Sequence, residues 1–318
     1  MKKESYLLVL CVLVTLLLKA QTPTFNEVSN LLPVIHWQSQ SPVKNQGVKY
    51  TCTAFAIAAA LETFPKVPKD LSEKYLYGFQ KGYQYGKTAI TQGHNLFSYI
   101  ESLKTDGVIE EKYLPYKLDY DKVRPMTEDQ FINYMYEGEV GLLTLGVKYK
   151  KKATVFVTDL EYLNAQKAKN INYIKEQLRR GVKAVPVSYP ILYVPAWKGY
   201  PSKEFHTITP DDGFKVNIGN GVYQKYSIAK SMFPNINQQI LNSTKPIEPI
   251  YPYPGNQYAG HAVTIIGYDQ EGFIIKNSYG PQWGVGGYER VSYDFHEIFA
   301  TEALIIRSVK VKKGLFGW

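Results

Sequence analysis

Cysteine is almost absent from the sequence: 318 residues contain two, Cys11 and Cys52. Two thiols cannot staple a disulfide-dense scaffold, so a stable fold must come from a packed core. Cys11 lies within an apolar run, Tyr6 to Leu18, that follows the basic start Met1-Lys2-Lys3 and precedes Lys19-Ala20-Gln21. Those flanks have the form of a secretory signal at residues 1–20, cleaved after Ala20. The run is shorter than the ~20 residues that a membrane span needs, which makes an uncleaved anchor the minor alternative. Apolar residues continue past Cys11, which disfavours lipid modification there. Once the signal is removed, Cys52 is the sole cysteine, and a single thiol on an exported chain is easier to explain as a reagent than as a staple.

Acidic charge is also in deficit, with 28 Asp and Glu against 37 Lys and Arg. The basic residues are scattered, and the one short run, Lys148-Tyr149-Lys150-Lys151-Lys152, has no nucleic-acid motif beside it. It reads as a solvated loop, and no nucleic-acid partner is expected. His206 has neither a third zinc ligand nor an acidic cluster nearby in sequence, so no metal and no cofactor are expected. Repeats and low-complexity tracts are missing too. A hydrophobic content of 45% is enough for one catalytic unit over residues 21–318, expected to be a monomer.

The informative stretch is Ser41 to Phe55, SPVKNQGVKYTCTAF. Cys52 opens Thr53-Ala-Phe-Ala-Ile-Ala-Ala-Ala-Leu-Glu62, free of Gly and Pro and rich in helix formers, which predicts a buried helix from about Thr51. A thiol at a helix N-terminus meets unpaired N–H groups and the positive end of the dipole, so its pKa is expected to fall. The Cys52 N–H and the Gln46 side-chain amide are candidate donors to a developing oxyanion. For a base, His261 starts the apolar pattern Ala-Val-Thr-Ile-Ile-Gly-Tyr, and a short turn leads into Phe273-Ile-Ile-Lys-Asn-Ser278. A hairpin over this stretch brings His261 and Asn277 to one end, where Asn277 can set the imidazole tautomer.

These motifs, PVKNQG, a Cys six residues after the Gln, then A-F, later H-A-V and I-K-N-S-aromatic-G-x-x-W-G, resemble the papain-like cysteine peptidases. The resemblance implies Cys52 as nucleophile, His261 as base, Asn277 as its orienting partner and Gln46 as oxyanion donor. Trp283 becomes the indole shielding the His–Asn pair, with Tyr279 where the family has Trp. The segment around Gly93 and His94, followed by Gly107-Val-Ile-Glu110 and Tyr113-Leu-Pro-Tyr116, resembles the family's substrate-lining glycine region. Gly93, His94 and Gly260 are therefore the expected substrate-binding positions, although His94 alone reads as a surface residue.

Two departures stand out. Lys49 takes the place of the usual disulfide partner of the C-G-[SA]-C-[WY] pattern, with Thr53 as its last residue, and Gly260 replaces a frequent Asp. Residues 21–40 leave no room for the family's inhibitory propeptide.

The implied fold is α+β and two-lobed, with the cleft between a helical lobe (about 45–125) and an antiparallel, β-barrel-like lobe (about 126–318). The β lobe carries an insertion at about 190–258, read as a semi-rigid flap beside the cleft because it is rich in Pro and Tyr. The implied function is an exported cysteine endopeptidase acting on peptide or protein substrates, secreted, periplasmic or at the cell surface. An amidase or transpeptidase using the same triad on cell-wall or isopeptide bonds, and a non-catalytic peptide-binding module, are the alternatives.

Overall fold

The computed structural model of the protein describes residues 33–84, 95–136, 148–191, 201–242, 247–249 and 259–312. The signal segment, Gly93 and His94 lie outside the described residues. The Ala-rich run forms the helix Cys52–Leu61, which is apolar around its whole circumference and correspondingly buried on every side. It packs with helix Glu73–Gln84 and with Leu103, Phe131 and Met135 in one hydrophobic core. Helix Glu128–Tyr136 opens on the reciprocal cap that its sequence predicts. The Gln130 N–H donates to Thr127 Oγ1 at 3.2 Å, and the Thr127 N–H donates to Gln130 Oε1 at 2.9 Å.

The strands assemble behind the Cys52 helix. We label them β1 (Val34–Ile35), β2 (Val155–Asn164), β3 (Val185–Ile191), β4 (Thr207–Ile208), β5 (Phe214–Asn217), β6 (Tyr223–Lys225), β7 (Ile247–Pro249), β8 (Ala259–Tyr268), β9 (Gly272–Lys276), β10 (Tyr288–Ser292) and β11 (Glu302–Val311). The main sheet runs β2-β11-β3-β8-β9-β10-β4, with β1 added on β8, and every pairing is antiparallel except β10 with β4. β2 and β4 end the order without pairing to each other, so over the described residues the sheet is open and not a closed barrel. Gly267 allows β1 to lie against β8, because a Cβ there would stand 2.2 Å from the Val34 carbonyl oxygen. The β8–β9 hairpin pairs Thr264 with Lys276, which places His261 and Asn277 at one end, as the sequence pattern requires.

The inserted region does not hang as a flap over its described part. Its strands β5 and β6 form a hairpin around Gly219-Asn220-Gly221, β7 adds a third strand, and helices Tyr226–Met232 and Ile236–Asn242 follow β6 in the chain. Phe214, Val216, Tyr226, Ala229, Ile236 and Ile240 bury into the same core as Phe295 and Phe299 of helix Tyr293–Phe299. The Phe214 and Phe299 rings stack with centroids 4.1 Å apart. What composition suggests is a cover is held by its own apolar payload.

Candidate active site

Cys52 is the first residue of its helix, and the side chain of Thr51 before it makes no capping bond, so the helix's first amides stay turned toward the sulfur. The backbone amides of Ala262 on β8 and of Thr53 and Cys52 at the helix start oppose the rise that burial imposes on the thiol. Ala262 follows His261 on β8, so this amide and the candidate base come from adjacent positions of one strand. The helix is held there by the Thr264 hydroxyl, which donates to the Ala56 carbonyl at 3.1 Å. Expectation and structure differ on the thiol. Burial pushes it up, the three amides pull it back and the Glu302 carboxylate adds to the rise. Desolvation of a thiolate inside the core outweighs the helix end.

His261 is buried, and its Nε2 lies 2.7 Å from Asn277 Oδ1. A carbonyl oxygen only accepts, so Nε2 carries the proton and Nδ1 the lone pair. Burial lowers the imidazole to about 4, opposed by the Asn277 bond. Asn277 Oδ1 is fixed by a second donor, the Ser278 N–H at 2.8 Å. The ring stacked on His261 is that of Tyr279, with centroids 4.7 Å apart and planes 25° from parallel. Trp283 meets Tyr279 edge-on at 6.4 Å and is buried. Tyr279 thus covers the imidazole face and Trp283 backs Tyr279. Gly260, the residue before the base, is exposed, and a Cβ there would meet nothing within 4 Å.

Gln46 is buried and triply fixed. Its backbone N–H donates to the Ser278 carbonyl at 2.8 Å, its Oε1 accepts from the Ser278 hydroxyl, and its Nε2 donates to the Lys49 carbonyl at 2.7 Å. One of its two amide protons is thereby used. Lys49, where the family pattern has a cysteine, reaches out from this loop: its ammonium donates to the Met126 carbonyl and lies 5.5 Å from the centre of the Phe131 ring. A charged tether joins the nucleophile loop to helix Glu128–Tyr136 at the position the family gives to one half of a disulfide.

Sequence reasoning missed a buried polar network that connects the three segments of the site. Glu62, at the C-terminal end of the Cys52 helix, accepts from Lys44 at 2.9 Å, from the Leu71 N–H at 2.7 Å and from the Ser41 hydroxyl. The Lys276 ammonium, one residue before Asn277, donates to the Ser41 carbonyl at 2.6 Å and to its hydroxyl oxygen at 2.9 Å. Lys44 also pairs with Glu73 at 2.7 Å and Asp70 at 2.9 Å. Ser41 and Lys44 belong to the stretch that carries Gln46, so the oxyanion loop, the nucleophile helix and the Asn277 strand share one set of charges. The signal was present as Lys276 ending the apolar Gly272–Lys276 and Glu62 ending an Ala-rich helix, but neither residue's partner is adjacent in sequence.

The chain superposes over 90% of its length on 90% of xylellain, a cysteine protease from Xylella fastidiosa, with a TM-score of 0.57 and 19% identity. It superposes over 91% of its length on 75% of a chain from a structural study of the mite allergens Blo t 1 and Der p 1, with a TM-score of 0.54 and 15% identity. The fold is papain-like. In sequence, the family described as "Papain family cysteine protease" matches residues 246–306, the part of this papain-like chain that holds His261, Asn277, Tyr279 and Trp283. Macrodontain-1 from Ananas macrodontes is 44% identical over 50 residues, 13% of this chain and 24% of that protein. The chain therefore spans about a quarter of that curated relative's length. Cys52 and Gln46 fall outside the family match. Among the described residues no group of three or more His, Cys, Asp or Glu is arranged to hold a metal ion.

Proposed function

We propose that the protein is an exported thiol peptidase that hydrolyses peptide bonds through a thioester acyl-enzyme. The observation that carries this reading is the Nε2–H···Oδ1 bond of 2.7 Å between His261 and Asn277, with His261 on the strand whose Thr264 hydroxyl holds the Cys52 helix. It selects the tautomer in which Nδ1 is the base. Burial keeps the thiol protonated and the imidazole neutral, so proton transfer from Sγ to Nδ1 accompanies attack on the carbonyl carbon. The oxyanion is met by the Cys52 N–H and the remaining Gln46 amide proton. His261 then protonates the leaving amine, and water hydrolyses the thioester. Export is supported by the form of residues 1–20. Among the described residues no helix is long and apolar enough to cross a membrane.

Labelling with a thiol-directed affinity probe, followed by cleavage of a peptide library and of cell-wall fragments, tests the reading. Labelled Cys52 with peptide products supports it. An unlabelled Cys52 points to a binding module, and wall products alone point to an amidase.

Two further outcomes follow from the site. Gln46→Ala is expected to lower kcat by about 10²–10³-fold, the usual cost of one oxyanion donor. An unchanged kcat would mean that the oxyanion is held by other groups. For pH, His261 acts only when neutral, and burial puts its protonation at about 4. Activity should persist well below the ordinary imidazole value of 6.5, with the acid limb of kcat/KM near pH 4. A limb centred at 6.5 would show that the base is solvated or is a different group.

A further inference from the structure

One face that the proposed reaction leaves unused collects lysines. Lys150, Lys151 and Lys152 form a single 3-10 turn just before β2, with Lys148 ahead of them. Lys312, just past β11, donates its backbone N–H to the Thr154 carbonyl at 2.7 Å and holds its ammonium 4.1 Å from the centre of the Phe156 ring. Lys310 stands opposite Phe156 in the β11–β2 ladder and so shares that face. From the helical side, Lys112 and Lys152 flank the Tyr113 ring at 5.1 and 5.2 Å, and Lys150 pairs with the buried carboxylate of Asp106.

All seven lysines are exposed. Lys112 has Glu110 at 2.9 Å and Lys150 has Asp106, whereas no ion pair is found for the other five among the described residues. The run Lys148 to Lys152 looks like an ordinary solvated loop in sequence. The fold adds Lys112, Lys310 and Lys312 to it.

We propose that this face binds a linear polymer of repeating phosphates that carries no bases. Like charges gathered on one surface repel, and a polyanion removes that cost while releasing its own counterions. An ammonium meets phosphate as a point charge from any direction, and arginine, which would select a forked geometry, takes no part in the cluster. Nucleic acid fits less well, since stacking successive bases needs several open rings and Tyr113 is already flanked by two ammonium groups.

The test is binding of the full chain to inorganic polyphosphate between ~50 and ~200 mM salt. Two triple variants are compared: K151Q/K152Q/K312Q on this face, and K203Q/K215Q/K225Q, which removes the same charge from exposed positions of the inserted region. Circular dichroism confirms that both fold. The face variant should bind about tenfold more weakly at ~150 mM salt, with a slope of log affinity against log salt shallower by about 2, while the control stays within about twofold. Equal losses in both variants, or no binding of the natural chain at ~150 mM salt, would overturn the proposal. So would tighter binding of heparin or of random single-stranded DNA at matched charge.

Discussion

Replacing Cys52 with alanine is expected to reduce peptide hydrolysis on the order of 10⁶-fold, the scale seen when a nucleophile is taken from an acyl-transfer triad. In the proposed mechanism the thiol forms the acyl bond. His261 and Gln46 would still orient a carbonyl but could not attack it, leaving only the small rate that an oxyanion hole and binding give alone. The same change removes a single sulfur from a buried helix start, so its effect on stability is expected to stay within about 1 kcal/mol. Fluorogenic peptide turnover and a urea unfolding curve on the same preparation separate the two effects. Turnover near that of the natural chain would end the mechanism, and a large loss of stability would mean that the activity loss reports misfolding.

Glu62→Gln is expected to destabilise the fold by about 3–5 kcal/mol, the cost of breaking a buried ion pair by removing one partner. Glu62 is 1% exposed, and its carboxylate takes the Lys44 ammonium, the Ser41 hydroxyl and the Leu71 N–H together. The glutamine keeps the size and loses the charge. Lys44 would retain Glu73 and Asp70, but Lys276 would lose its chief opposing charge. Burial already lowers Lys276 to about 8, with Glu62 as the main force in the other direction, so the ammonium would be driven further toward the neutral amine. The midpoint of urea unfolding reads the loss. A change below about 1 kcal/mol would show that water reaches the network and screens it. Because Lys276 precedes Asn277, kcat in this variant should fall more than KM changes.

How much of this could be read without a structure depends on whether the determining contact is local. The Cys52 helix, the Thr127 cap and the strand pair carrying His261 and Asn277 are legible, because helix propensity, capping and turn chemistry act within a few residues. Motifs of fixed spacing also name the candidates for nucleophile, base, orienting amide and oxyanion donor. Gly93 and His94 remain expectations, because they lie outside the described residues.

The sequence alone thus determined the local elements around the candidate site and which side chains are candidates for its chemistry. Only the tertiary structure decided that the sheet stays open, that the inserted region shares a core with Phe295 and Phe299, and that Tyr279 is the ring stacked on the base. It also decided the ionisation of the site. Both the rise of the thiol and the fall of the imidazole come from desolvation, which depends on everything packed around a group and on nothing in its own sequence neighbourhood. The network of Ser41, Glu62 and Lys276 shows the same limit, because Ser41 meets Glu62, 21 residues on, and Lys276, 235 residues on, only when the core encloses them.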